Sequence, residues 1–70
     1  MAKAYRFDDD KPRTGSTVHA FRTLAALKEF AKKQGLKGTM KYWEITGTII
    51  EDDGSPDGIQ IKVAKAVEVQ

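Results

Sequence analysis

The sequence contains no cysteine and only one histidine, His19, in 70 residues. Without cysteine the chain can form neither a disulfide scaffold nor a cysteine zinc site, an iron–sulfur cluster or a thiolate nucleophile. A zinc site needs three or four ligands, which one histidine cannot supply. We therefore expect no metal or other cofactor, and we expect His19 to be an exposed or half-buried strand residue.

Long apolar runs are also absent. No stretch approaches the roughly 20 apolar residues of a membrane span, and residues 1–6 lack the apolar core of a signal peptide. Apolar residues make up 40% of the chain and charged residues 31%, which is typical of a globular protein rather than a disordered tail. We expect one domain over residues 1–70, in the cytoplasm, with no membrane partner and a small core.

Alternating apolar and polar residues predict four strands. These strands are expected over residues 3–7, 16–21, 39–50 and 59–69. With one helix between the second and third strands, the order is ββαββ. This order predicts an α+β fold, in which an antiparallel four-stranded sheet has one helix packed on one face.

The helix has the clearest pattern. Its apolar face is predicted from the helical spacing of Leu24, Leu27 and Ala31, with Phe30 at its edge. Thr23 is the expected N-cap, because its hydroxyl can accept from the amides of the first turn. Gly35 is expected to end the helix in a left-handed conformation, with Leu36 packing back on Ala31.

Two residues interrupt the strand patterns. Gly47 lies inside the third strand, which indicates a bulge or a close backbone approach. Lys65 breaks the apolar row of the last strand, where we expect a bulge or an exposed strand end. Trp43 belongs to the apolar row of the third strand and is expected in the core.

Charge is sorted along the chain, although the net charge is only +2. Residues 21–43 hold six basic residues and one acidic residue, a net charge of +5, and residues 44–70 hold two basic and six acidic residues, a net charge of −4. We name the first group the basic face: Arg22, Lys28, Lys32, Lys33, Lys37 and Lys41. We name the carboxylates of the loop before the last strand the acidic hairpin: Asp52, Asp53 and Asp57. Such separation creates a field that can steer a charged partner.

The loop at residues 53–58 resembles the opening of a calcium-binding loop. It reads Asp-Gly-Ser-Pro-Asp-Gly, which places oxygen ligands at positions 1, 3 and 5 and glycine at position 6. Position 12 is Ala64 rather than a glutamate, and a strand pattern follows where a helix is required. The sequence therefore favours a hairpin turn, in which Asp, Gly and Pro each serve the backbone geometry.

The other carboxylates favour structural interpretations. Residues 8–10 are three consecutive aspartates, which are expected to form an open, solvated loop because they repel one another. Glu44 has no second carboxylate to complete a glycosidase pair. We expect it to be a solvated residue that pairs across the sheet with Lys62 or another neighbour.

No nucleophile with an activating base, cofactor motif or phosphate-binding loop is visible, so we expect binding rather than catalysis. The run from Ala20 to Ala31 is similar to the strand-then-capped-helix units of many small β-α-β proteins. Some of those are phage or mobile-element proteins that bind and inhibit a host complex. The resemblance implies a small accessory protein and carries over no site residue.

Three functional hypotheses follow from these patterns. In the first, the chain is a protein-binding module, a regulator or inhibitor whose basic face meets an acidic partner or whose acidic hairpin mimics phosphates. In the second, the lysines bind nucleic acid weakly and without sequence specificity, although the acidic last third would repel phosphates. In the third, the last strand pairs with a second copy across a two-fold axis to form a homodimer.

Overall fold

The computed structural model describes residues 1–35 and 41–69, which form four strands and one helix. The predicted ββαββ order is confirmed. The elements are β1 (Ala2–Asp8), β2 (Thr17–Ala20), α1 (Leu24–Lys33), β3 (Lys41–Asp52) and β4 (Ile59–Val69). The first two predicted residues of the third strand, and Leu36 with its expected contact to Ala31, lie outside the described residues.

All the strand pairs are antiparallel, in the order β1-β3-β4-β2. The long β3–β4 hairpin is central, with β1 on one side and β2 on the other. The sheet curls until its two outer strands meet. Tyr5 in β1 donates its amide to the carbonyl of Phe21 at 2.8 Å, and the Phe21 amide donates back at 2.7 Å. The result is a partly closed, barrel-like sheet.

The core lies inside this curled sheet and takes side chains from all four strands. Its members are Ala4, Ala20, Trp43, Ile45, Ile59, Ile61, Val63 and Ala66. The interior of a sheet with so few strands is narrow, so small residues are needed beside large ones. The three alanines and the buried Gly47 meet this need. Trp43, only 7% exposed, belongs to the core as predicted.

The helix begins and ends where its capping residues indicate. The Thr23 hydroxyl accepts from the Ala26 amide at 3.1 Å, and Gly35 has a φ of 71°, in the left-handed region. Leu27 and Ala31 are buried. Phe30 packs against Phe7 and Phe21, with ring centroids 5.7 and 5.2 Å away. The helix therefore contacts the sheet where β1 and the end of β2 meet.

Both predicted irregularities are present. Thr46 lies opposite Lys65 but Gly47 lies opposite Val63, so Ala64 is the extra residue of a bulge next to Lys65. The backbone of β4 also approaches Gly47 closely. A second bulge follows at Ile50, which is 56% exposed and lies between residues paired with Ile61 and Gln60.

We predict that Gly47→Ala destabilises the fold by about 3 kcal/mol, since overpacking a filled site costs roughly this much. An added Cβ would overlap the carbonyl oxygen of Lys62 and lie 3.1 Å from the amide nitrogen of Ala64. Neither is the end of a flexible side chain, so the strands must separate. Urea unfolding measures the effect, with the exposed neighbour Thr48→Ala as the control. Equal unfolding free energies for the two variants would contradict the close approach.

Candidate functional site

Arg22 of the basic face joins the start of the helix to the acidic hairpin. Its guanidinium forms an ion pair with Asp52 and donates from Nε to the carbonyl of Ser55 at 3.4 Å. Its amide donates to the carbonyl of Pro56 at 2.8 Å. The two charged segments, separate in sequence, are therefore neighbours in space, and the Arg22 charge is largely compensated by the hairpin.

The helix lysines lie on two flanks. Lys33 is 3.7 Å from Glu29, while Lys28 and Lys32 are exposed and, within the described part of the chain, form no ion pair. At about 100° per residue, Lys28 and Lys32 lie opposite the flank that carries Phe30 and Lys33. On the described helix they are the lysines whose charge no ion pair compensates.

The remaining members of the basic face lie beyond the helix. Lys41 is exposed at the start of β3, opposite Asp8 of β1. Lys37 lies outside the described residues. The described members of the basic face thus do not form one continuous surface, since Arg22 and Lys33 lie on the hairpin side of the helix.

The carboxylates of the acidic hairpin hold its turn together. Asp52 accepts from the amide of Gly54 at 2.9 Å. Asp53 accepts from the amide and the hydroxyl of Ser55 at 2.8 and 2.6 Å, and Asp57 accepts from the same hydroxyl at 3.1 Å. The predicted turn is therefore present. Over residues 1–35 and 41–69, no group of three or more metal-binding side chains comes together.

The pKa of Asp53 is lowered from the ordinary 3.8. The main cause is the hydrogen bond from the Ser55 hydroxyl, followed by the one from the Ser55 amide, and the charges of Arg22 and His19 add to it. Both bonds stabilise the charged form of the carboxyl. Asp53 is therefore a carboxylate throughout the neutral range.

Three shallow depressions in the described surface share Phe21 and define what we name the Phe21 groove. Their volumes are 290, 330 and 220 Å³. The floor of the groove is formed by Phe7, Phe21 and Phe30, which are all half-buried and are the only phenylalanines in the sequence. Its rim includes Arg6, Asp8, His19, Asp53 and Asp57.

The two ends of the groove differ in charge. At one end Arg6 and Asp8 form an ion pair at 3.2 Å, so their charges offset each other. Partial desolvation raises the pKa of Asp8, but the hydrogen bonds from Arg6 and from the amides of Asp9 and Asp10 outweigh it and leave the pKa lowered. At the other end, Asp53 and Asp57 line a depression together with Phe21, and the described lining of that depression includes no lysine or arginine. We name this depression the hairpin end of the groove, and its described lining is acidic. The third depression shares Asp57 and is also lined by Lys33 and Glu29, whose charges offset each other.

The groove was not predicted from the sequence. Phe7, Phe21 and Phe30 lie on three different elements, at spacings that belong to no motif. Only the closure of the sheet brings them together, and this closure depends on a contact between residues 16 positions apart, Tyr5 and Phe21.

The environments of His19, Glu44 and Trp43 mostly agree with the predictions. His19 is an exposed strand residue, with its Nε2 atom 3.2 Å from the side-chain amide of Gln60. Glu44 is paired across the sheet, but with Lys3 at 3.6 Å instead of Lys62. The reason is the register of the β3–β4 pair, which places Lys62 opposite Thr48 and Val67 opposite Glu44, whereas β1 brings Lys3 diagonally beside Glu44. The Trp43 indole donates to the carbonyl of Asp8 at 3.3 Å and is buried, so it offers no surface for stacking on a nucleic-acid base.

No family model, curated protein or solved structure matches this chain. Among the described residues, no helix combines the length and the apolar character needed to cross a membrane.

We predict that Ser55→Ala raises the pKa of Asp53 but leaves it below 3.8, because the hydroxyl donor is lost while the amide donor remains. A carboxyl with a lowered folded-state pKa adds stability that is present above the unfolded pKa and is lost as the pH falls through the folded one. The variant should therefore lose less stability on acidification than the wild type. Carboxyl carbon NMR titration measures the pKa directly.

Ser16→Ala is the matched control for this prediction. The Ser16 hydroxyl donates to the carbonyl of Arg13 and contacts no carboxylate. An Asp53 pKa that does not move in Ser55→Ala, or that moves equally in Ser16→Ala, would show that the hydroxyl bond is not the cause of the lowered value.

Proposed function

We propose that this protein is a protein-binding module that acts by contact through the Phe21 groove and not by catalysis. The observation that carries the proposal is the gathering of all three phenylalanines, each half-buried, on the floor of one open groove. Half-buried aromatic side chains surrounded by polar residues are typical of the centre of protein interfaces, where aromatic anchors contribute much of the binding energy.

The polar groups around the groove support a binding role. General-base catalysis needs a base within hydrogen-bond reach of the group that it deprotonates. His19 is beside the side-chain amide of Gln60, and the Asp53 carboxylate, which accepts from the Ser55 hydroxyl, is a weak base because its pKa is lowered. Nor do the groove's depressions enclose a substrate, because each is open to solvent.

The uncompensated lysines have a separate role in this proposal. Lys28 and Lys32 lie on the opposite flank of the helix from the groove, so their charge is expected to steer an acidic surface of the partner during encounter. Charge in such a position affects the association rate and its salt dependence more than the final affinity. Regulation of a host complex and a phage or mobile-element origin remain predictions from the sequence.

Nucleic-acid binding remains the alternative hypothesis. Lys28 and Lys32 would supply phosphate contacts. Two features favour a protein partner instead: Trp43 is buried, and the hairpin end of the groove carries Asp53 and Asp57. Carboxylates at this position would repel the phosphates of a strand that stacked its bases on the groove phenylalanines.

The proposal predicts that peptides selected on the immobilised protein from a random display library bind the groove. Added to the ¹⁵N-labelled protein, they should shift the amide signals of Phe21, Phe30 and Gly58. Phe30→Leu keeps the apolar volume but removes the aromatic ring, and it should weaken binding about three- to tenfold, the range expected for an aromatic contact. The double variant Lys28→Glu with Lys32→Glu leaves the groove intact and should retain the equilibrium affinity to within about threefold.

Two outcomes would contradict the proposal. If the selected peptides shift signals around Lys28 and Lys32 and bind Phe30→Leu as well as the wild type, the groove is not the contact surface. If no peptide sequence converges, labelled single-stranded DNA is titrated at about 50 and about 200 mM salt, and affinity that falls by orders of magnitude would assign the nucleic-acid alternative. The thermal unfolding of each variant shows whether its fold is retained.

A further inference from the structure

We infer that the hairpin end of the Phe21 groove binds an arginine side chain of the partner protein, presented next to an apolar residue. This inference rests on the proposed function and names the chemistry of the occupant. The depression concerned has a volume of 330 Å³ and is lined by residues from β2, the helix and the hairpin. This volume is at the lower end of the about 300–1,000 Å³ of small-molecule pockets, and the depression is open to solvent, so it is accessible to a long side chain on the surface of a partner.

The lining of the depression is complementary to a cation with an apolar stem. Phe21 and Phe30 provide aromatic surface, and Asp53 and Asp57 provide two carboxylates on the hairpin side. A guanidinium is attracted to the face of an aromatic ring, and its aliphatic stem can pack on apolar surface. The carboxylates can accept its N–H groups in charge-assisted hydrogen bonds. His19 and Arg22 are the cationic or titratable groups near Asp53, and Arg22 is already paired with Asp52. Lys33 lines the adjoining depression together with Asp57, and it is paired with Glu29.

The hairpin already binds one guanidinium from its own chain. Arg22 contacts the carboxylate of Asp52 and the carbonyl of Ser55. The carboxylate of Asp52 is therefore already paired with a guanidinium of its own chain. Asp53 and Asp57 each accept from Ser55 through the Oδ1 atom, and within the described part of the chain their Oδ2 atoms accept no hydrogen bond from a side chain or a loop amide. These two oxygens are the acceptors that remain for a partner.

Arginine fits this arrangement better than lysine. Its guanidinium is planar and delocalised, so one face can lie on a phenylalanine ring while the edge donates to carboxylates. The ammonium of lysine is a compact and strongly hydrated charge that loses more hydration on leaving water. A glutamate or a phosphate would be repelled by the same two carboxylates.

The test uses four short peptides that differ at one position next to a leucine: arginine, citrulline, lysine or glutamate. Citrulline has nearly the shape of arginine but no charge. Each peptide is titrated into the ¹⁵N-labelled full chain at neutral pH. We expect the arginine peptide to shift the amides of Phe21, Asp53 and Gly58 and to bind at least about fivefold more tightly than the citrulline peptide. The lysine peptide should fall between them, and the glutamate peptide should be weakest.

Asp57→Asn identifies the carboxylate involved. Asp57 makes only one of the hairpin's side-chain hydrogen bonds, so this change should leave the turn intact and reduce the preference for arginine over citrulline to about twofold or less. Glu68→Gln removes the same charge from an exposed position on β4 and should leave the preference unchanged. Equal losses in both variants would mean that net charge and not the groove sets the preference.

The outcomes separate this inference from the proposed function. Equal binding of the arginine and citrulline peptides, with shifts in the groove, would overturn the arginine assignment and leave the groove as the contact surface. A glutamate peptide that binds more tightly than the arginine peptide, or an arginine peptide that shifts no groove amide at the highest concentration, would also overturn it. The library selection then decides independently whether the groove binds proteins at all.

Discussion

The pair of backbone hydrogen bonds between Tyr5 and Phe21 is the constraint on which the other features of the molecule depend. It joins the first strand to the residue that follows the second strand and thereby closes the curled sheet. Phe21 is followed directly by Arg22 and by Thr23, the N-cap of the helix. The same bridge therefore sets where the helix begins, where Arg22 reaches the acidic hairpin, and where the Phe21 side chain contacts Phe30.

Closure also explains the composition of the core. The core of an open sheet can consist of large side chains alone. The distance between the helix and the sheet can then increase until those side chains fit. In a curled sheet of four strands the opposite strands limit the space inside, although Leu27 and Ala31 of the helix are buried as well. Ala4, Ala20 and Ala66 therefore lie among isoleucines and valines, and Gly47 lies where even a methyl group would meet the backbone of Lys62.

Local features of the fold could be predicted from the sequence, whereas long-range features could not. The helix limits follow from Thr23 and Gly35, and the bulge follows from Gly47, because each depends on a few neighbouring residues. The strand order is set by contacts between residues that are far apart in the sequence. No local pattern predicts that β1 and β2 lie on opposite sides of the β3–β4 hairpin. The partner of Glu44 is an example, because it is set by the register: Lys62 lies opposite Thr48, and Lys3 of β1 is the residue that pairs with Glu44.

The difference between local and long-range features also explains which parts of the candidate site could be predicted. Charge is sorted along the chain, but in space Arg22 is paired with Asp52 and Lys33 with Glu29, so the basic segment is largely uncompensated only at Lys28 and Lys32 among the described helix residues. The aromatic groove had no signal, since its three phenylalanines become neighbours only after the sheet has closed. The sequence shows which residues are charged. It does not show which of them lie together on one surface of the folded chain.

The groove residues also stabilise the fold, so the proposed binding would be linked to stability. Phe30 packs the helix against Phe7 and Phe21, and its half-buried ring is at the same time part of the groove floor. A chain of 70 residues buries a modest share of its surface, so its margin of stability is small. A partner side chain seated on these rings would complete the burial of the helix contact. Because a ligand that binds only the folded state stabilises it by mass action, occupation of the groove would hold the helix to the sheet as well as join the two proteins.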